Sequence, residues 1–341
     1  MKKKVALKDI AERVGVSIAL VSYVLNNQRE NRVSKEIAKK IRDTAKKMNY
    51  RTNQIARSLK TNKTATFGLI VADISNPFSS HLARIIEDEA AKSHYTVLFG
   101  SSDENEEKSQ NLINVFLDRQ VDGLIIAPAE NTESQLRALQ KAGTPFVLID
   151  RYFPELRSNY VALDNFKAAH TAVKHLIQEG NRRIGLITFE TELFHLQERK
   201  RGYLAALKEF KISFKKDWVK EIGMEGVLEG VEKAITELLD LPKPPDALFF
   251  ISNTLSIYGI KYINKLDIRV PDTLAIVSFD ETEASDIFYA PLTYIRQPLK
   301  EMGQLATQIL IENIGKKNIR QMNLDGELLI RKSSIRTKTR G

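Results

Sequence analysis

In this 341-residue chain, polar, charged and aromatic residues recur just after short apolar runs. Asp73, Asn76 and Phe78 follow FGLIVA, Arg151 follows PFVLID, and Asp164 follows YVAL. Phe194 and Arg199 lie beyond RIGLIT, Asn253 and Thr254 follow ALFFIS, and Asp280 follows LAIVSF. Carboxylates and asparagines can chelate adjacent hydroxyls, arginine offers a bidentate grip, and an aromatic ring stacks on the apolar face of a sugar ring. The mixture suits a polyhydroxylated small molecule. Asp164 reads equally well as a helix cap. Catalytic chemistry finds no support: there is no phosphate loop, no Gly-x-Ser-x-Gly elbow and no zinc motif. The histidines at 81, 94, 170, 175 and 195 do not cluster, and His170 and His175, five apart, fall off a common helix face. Without cysteine, disulfides, thiolate metal sites and cysteine nucleophiles are excluded. No enzyme activity, cofactor or metal is therefore expected.

The apolar runs read as strands at 67–72, 95–100, 123–128, 145–150, 160–163, 183–188, 247–252 and 274–279, separated by amphipathic helices such as Pro77–Ser93, which opens with Asn76 as cap and Pro77 at its first position. Continuous apolar strands are buried on both faces, so the pattern predicts doubly wound parallel sheets. So many strands over about 275 residues exceed one comfortable core. Two sheets with a cleft between them are expected, and ligands of open α/β sheets sit at the carboxyl ends of strands.

Ahead of this α/β region lies a different texture. From Leu7, LKDIAERVGVSIALVSYVLNN reads as two short helices joined at Gly15, a residue free to take positive φ, with Ser17 capping the second helix. Leu20, Val21, Val24 and Leu25 form the inner stripe of that second helix, leaving Ile18, Ala19, Ser22 and Tyr23 outward. A third amphipathic helix from Ser34 to Tyr50 supplies the packing that such short helices need. The arrangement matches a helix-turn-helix, whose second helix enters the major groove of DNA, but a generic helical bundle would share its pattern. Charge separates the two. Residues 1–63 hold 17 Lys plus Arg against 5 Asp plus Glu, whereas residues 64–341 hold 35 against 38. A basic head on a slightly acidic body is the footprint of phosphate binding. The following NQIARSLKT has helical character over barely two turns. It reads equally as a flexible linker or as a hinge that gains helix on docking. The N-terminal stretch lacks the apolar core of a signal peptide and no run approaches membrane-spanning length, so a cytoplasmic protein with no membrane partner is expected.

The strings LKDIAERVGVSIALVSYVLNN, NQIARSLKT, TFGLIVADISNPF, QVDGLIIAPA, VLIDR, VALDN, GNRRIGLIT, RVPDTLAIVSFD and LTYIRQP resemble, in the same order, the lactose repressor/galactose repressor family of bacterial transcription regulators. The resemblance spans essentially the whole chain. It implies a helix-turn-helix domain at 1–51, a hinge helix and linker at 52–63, and an effector-binding, dimerising core at 64–341 like the type I periplasmic sugar-binding proteins. In that core the chain crosses between two subdomains three times, expected near Leu163, Pro291 and Asn323, giving 64–163 with 292–323 and 164–291 with 324–341.

By resemblance, Ile18, Ala19 and Tyr23 read base edges, Ser17, Ser22 and Asn26 contact phosphates, and Ala56, Leu59 and Lys60 enter the minor groove, Leu59 as a wedge. An apolar pair at Ile18 and Ala19 would read thymine methyls and shape rather than form bidentate hydrogen bonds, unless Ile18 faces the bundle interior. A wedge needs two copies, so a homodimer on pseudo-palindromic double-stranded operator DNA is implied. Phe78, Ser79, Arg199 and Asp280 match positions that touch the small-molecule effector. Two departures stand out. Thr254 replaces a carboxylate the family commonly has, and Leu193, Phe194 and His195 stand where purine-binding members are polar. The implied protein is a repressor of carbohydrate-utilisation genes answering to a sugar-type effector, with a sugar acid or sugar phosphate suited to Arg151 and Arg199. A corepressor-type regulator answering to a nucleobase, another metabolite or a partner protein, and a solute-binding protein without a DNA role, are the alternatives.

Overall fold

The computed structural model describes residues 5–26, 33–50, 63–316 and 318–336, in two compact units, Met1–Thr64 and Ala65–Gly341. In the first, helices α1 (Leu7–Val14), α2 (Ile18–Leu25) and α3 (Lys35–Lys47) close over Ile10, Ala11, Val14, Val21, Val24, Ile41 and Ala45. Helix α1 stops because Gly15 adopts φ of 80°, and its N–H bonds back to the Ala11 carbonyl. Two residues on, the Ser17 hydroxyl accepts the Leu20 N–H at 3.2 Å and starts α2. Ser17→Ala should destabilise α2 by about 1 kcal/mol, read as faster amide hydrogen exchange across 18–25 with exchange in the core unit unchanged. The expected hinge residues Ala56, Leu59 and Lys60, and the hinge helix itself, lie outside the described residues.

The second unit is built on two six-stranded sheets. The first lobe holds β1 (Thr66–Val71), β2 (Thr96–Ser101), β3 (Gly123–Ile126), β4 (Phe146–Ile149), β5 (Asn159–Leu163) and β11 (Gln321–Leu324), all parallel, in the order β11-β5-β4-β3-β1-β2. Helices α4 (Pro77–Lys92), α5 (Glu106–Asp118), α6 (Glu133–Ala142) and α12 (Leu299–Asn313) belong to it. The second lobe holds β6 (Ile184–Phe189), β7 (Val219–Ile222), β8 (Ala247–Phe250), β9 (Ala275–Phe279), β10 (Thr293–Arg296) and β12 (Glu327–Leu329), in the order β12-β10-β9-β8-β6-β7. Only the β10–β12 pair is antiparallel among the described strands. Its helices are α7 (Asn165–Gln178), α8 (Phe194–Glu209), α9 (Val227–Leu239), α10 (Asn253–Ile263) and α11 (Glu283–Ile287). Both sheets bury near-continuous apolar strands, as covering on two faces requires.

Three segments join the lobes. The first follows β5. The second falls at Gln297–Pro298 rather than near Pro291, because Thr293–Arg296 pairs with β9 and β12 in the second sheet, and Ala290, Leu292 and Ile295 are buried in the second lobe's core. The third follows β11 at Asp325–Gly326, just beyond Asn323. The first lobe is thus 66–163 with 299–324, correcting the expected 292–323. Four strands that the apolar-run pattern did not predict, β7, β10, β11 and β12, are short, and three of them carry polar residues at half or more of their positions: VKEI, TYIR and QMNL. Among the described residues no helix is long and apolar enough to cross a membrane.

Candidate functional site

On the head, Ile18 is 49% exposed and Ala19 is exposed, which rules out an interior placement of Ile18. Ser17 is exposed and Ser22 and Tyr23 half-buried, so the first turn and a half of α2 presents the residues expected to face DNA. The Asn26 amide donates to the Ser22 carbonyl at 2.8 Å and its hydroxyl at 3.3 Å, which anchors the end of the helix. Two methyl-bearing residues leading a helix, with hydroxyls at its start, suit contact with thymine methyls and phosphates.

Between the lobes lies a cavity of about 400 Å³. The carboxyl ends of the strands line it, and it draws together Asp73, Asn76, Phe78, Ser79, Arg151, Arg199, Asn253, Thr254 and Asp280, the expected effector residues apart from two. Asp164 instead caps α7, accepting the Lys167 N–H at 2.9 Å. Phe194 packs edge-on against Tyr152 at 5.2 Å, and neither residue lines the cavity. Six further residues complete the polar lining: Asp103, Glu104, Asp150, His195, Ser252 and Gln297.

The polar groups are held by partners of their own. The Arg151 guanidinium is gripped bidentately by Glu104, both bonds at 2.7 Å, with Asp150 Oδ2 3.4 Å from Nε. Arg199, 3% exposed, donates from Nε to Asn165 Oδ1 at 2.7 Å and from Nη1 to the Ile251 carbonyl at 2.8 Å, with its guanidinium 3.8 Å from the centre of the Phe279 ring. Asn76 and Asn253, from opposite lobes, exchange amide hydrogen bonds at 2.8 and 3.3 Å. Asp280 sits in the left-handed region at φ 66° and accepts from Gln297 Nε2 at 2.8 Å. Burial pushes its carboxyl up to about 6 against the pull of Arg199. Burial raises Asp150 likewise, opposed by Arg151 and Arg199. His195, 5% exposed, is driven well below the usual histidine range by burial and then by the two guanidiniums, so it is a neutral imidazole. Its Nδ1 and Gln297 Oε1 are buried without a hydrogen-bond partner. A neutral ring and an amide oxygen left unpaired beside fixed charges can recognise hydroxyl or N–H groups of a ligand.

Comparison with known proteins settles the class. Residues 64–332 match the family described as periplasmic binding proteins and sugar binding domain of LacI family, and residues 6–53 match the bacterial regulatory proteins of the lacI family. The chain belongs to the LacI family. It is 30% identical over 331 residues to the HTH-type transcriptional repressor PurR of Aliivibrio salmonicida, covering 96% of this chain and 98% of that one. It is 31% identical over 329 residues to the ribose operon repressor of Haemophilus influenzae, with the same coverage of 96% and 98%. The fold matches the Lac repressor dimer bound to operator and the anti-inducer ONPF with a TM-score of 0.86 at 21% identity, over 98% of this chain and 100% of that one. This LacI-family chain is a DNA-binding transcriptional repressor, and its relatives are regulators rather than enzymes.

Proposed function

We propose that this repressor controls carbohydrate-utilisation genes through a sugar-type effector bound between the lobes, and that it acts as a homodimer on a pseudo-palindromic operator. In the head, Ile18, Ala19 and Tyr23 read bases while Ser17, Ser22 and Asn26 set register on phosphates. In the cleft, Phe78 offers a ring face, and Arg199, Asp280 and Asn253 offer donors and acceptors. The observation carrying the effector class is the pairing of charge. Both arginines of the cavity are already engaged by protein acceptors, and five carboxylates, at 73, 103, 104, 150 and 280, outnumber them. That balance favours an uncharged sugar over the sugar acid or sugar phosphate that two arginines alone suggest. A nucleobase is the second reading, favoured by the unpartnered His195 Nδ1 and Gln297 Oε1 and by identity to repressors named PurR.

Thermal unfolding of the full chain against neutral sugars, sugar acids, sugar phosphates and nucleobases tests this. A ligand of the folded form at a hundredfold excess over its dissociation constant adds about 2.7 kcal/mol. The expected result is a raised midpoint with a neutral sugar, abolished in Arg199→Lys, because lysine cannot reproduce the fork to Asn165 and Ile251. A shift only with anions, or one that persists undiminished in Arg199→Lys, would refute the uncharged-sugar reading.

A further inference from the structure

The start of α8 is tied to the first lobe by a residue that does not line the effector cavity. Glu130, in the turn between β3 and α6 of the first lobe, accepts the Thr191 hydroxyl at 2.8 Å through Oε2 and the Glu192 N–H at 2.9 Å through Oε1. Thr191 and Glu192 precede α8 in the second lobe. The same Thr191 hydroxyl accepts the Leu193 N–H at 3.1 Å, and the Thr191 carbonyl accepts the Gln197 amide, so the turn that Glu130 grasps is internally braced. A carboxylate at this end of a helix is also favoured by the helix dipole. One turn further, α8 carries His195 and, four residues on, Arg199, both facing the cavity.

We infer that Glu130 is an interlobe latch that positions α8, and with it His195 and Arg199, by holding the lobes closed. Topology supports this. β3 is separated from the crossing strand β5 by β4, and β6 is separated from the crossing strand β10 by β8 and β9. The latch therefore closes the cleft away from the segments that hinge it, where a hydrogen-bonded pair has leverage over lobe separation. Alongside it, Asn76–Asn253 makes the other polar bridge described above, and Phe194 against Tyr152 adds an apolar one. The latch takes its regulatory meaning from the effector-controlled reading, since an effector that alters closure must work with or against it.

Lobe separation can be read without any effector, so failure of the latch and failure of the effector reading are distinguishable. The chain has no cysteine, so Glu107→Cys on α5 and Lys233→Cys on α9 label uniquely with nitroxides. Both positions are exposed and follow the edge strands β2 and β7, the sheet edges farthest from the crossings. Diluting labelled with unlabelled chain leaves only intrachain pairs for double electron–electron resonance. The expected result is one short distance in the parent, a longer mean distance in Glu130→Ala and Thr191→Val, and the short distance restored in Glu130→Gln. Glutamine can accept the Glu192 N–H and donate to the Thr191 hydroxyl. A parental distance in Glu130→Ala would overturn the latch, whatever its melting midpoint. Should that variant not fold, a parental distance in Thr191→Val would overturn it equally. A Glu130→Gln distance as long as that of the alanine variant would also overturn it.

Discussion

Asp280→Asn is expected to melt higher than the parent at pH 7.5, with the gap closing as pH falls toward 4. Asp280 is buried, and its carboxyl stands at about 6 in the folded protein against an ordinary value near 4. Between those values the folded state holds a proton that the unfolded chain has released. The group therefore favours folding fully below about pH 4 and loses that contribution as pH rises through about 6. At pH 7.5 the ionised carboxylate costs the fold about 3 kcal/mol, at 1.36 kcal/mol for each pKa unit. Asparagine keeps an oxygen for the Gln297 amide without the charge, while Arg199 keeps Asn165 and Ile251 as acceptors. Differential scanning calorimetry from pH 4.5 to 7.5 reads the gap. A variant melting no higher than the parent at pH 7.5 would mean that Arg199 fully offsets the burial of Asp280. The same substitution should weaken effector binding, because a site residue that destabilises its own fold is retained for what it binds.

Gly202→Ala should have a comparable effect in the opposite direction. In an exposed helix interior this change gains about 1 kcal/mol from helix propensity. On α8, however, a Cβ at 202 would run into the Phe166 carbonyl oxygen and stand 2.9 Å from the His170 nitrogen, both backbone atoms of α7. Backbone cannot rotate away as a side chain end can, so α7 and α8 must separate. Overpacking of this kind costs about 3 kcal/mol, and the separation would unseat Arg199 from Asn165 on α7. The expected outcome is a melting midpoint lowered by roughly 5 °C or more, together with loss of the effector-induced shift. An unchanged or raised midpoint would show that the two helices are not in contact at this glycine.

The doubly wound core was legible because its strands are apolar runs of four to six residues with turn residues after them, and the head because Ile10, Ala11, Val14, Val21 and Val24 keep helical spacing. Three of the four edge strands, β7, β11 and β12, escaped, and for a physical reason. β7 and β11 are half-exposed and tolerate polar residues, so nothing in VKEI or QMNL marks pairing, which a neighbour decides. The cavity residues divide the same way. Most of those at strand ends were readable from position alone, although Asp150, directly after β4, was passed over for its neighbour Arg151. Glu104 was not, since its role depends on Arg151, 47 positions away. His195 had a readable signal: it lies four residues before Arg199 and shares that face of α8, whereas Phe194 shares the face of Glu198 and turns toward Tyr152.

The three crossings also govern how the chain can be made. Synthesis runs from the amino end, and β5 is completed early, yet its outer neighbour β11 comes only after α7 through α12. Through all that interval the β5 edge has no strand beside it, and an open parallel edge is a template for wrong partners. The second lobe waits longer still. Ser333 accepts the Thr293 N–H at 2.8 Å and donates to the Ile276 carbonyl at 2.6 Å, and Ser334 meets His175 at 2.7 Å, so its sheet is sealed by almost the last described residues. Neither lobe is a contiguous piece of sequence that could finish on the ribosome while the other is translated. Until β11 and residues 333–334 have been made, both lobes keep an unsealed sheet, and chaperone capture would be most useful over that interval.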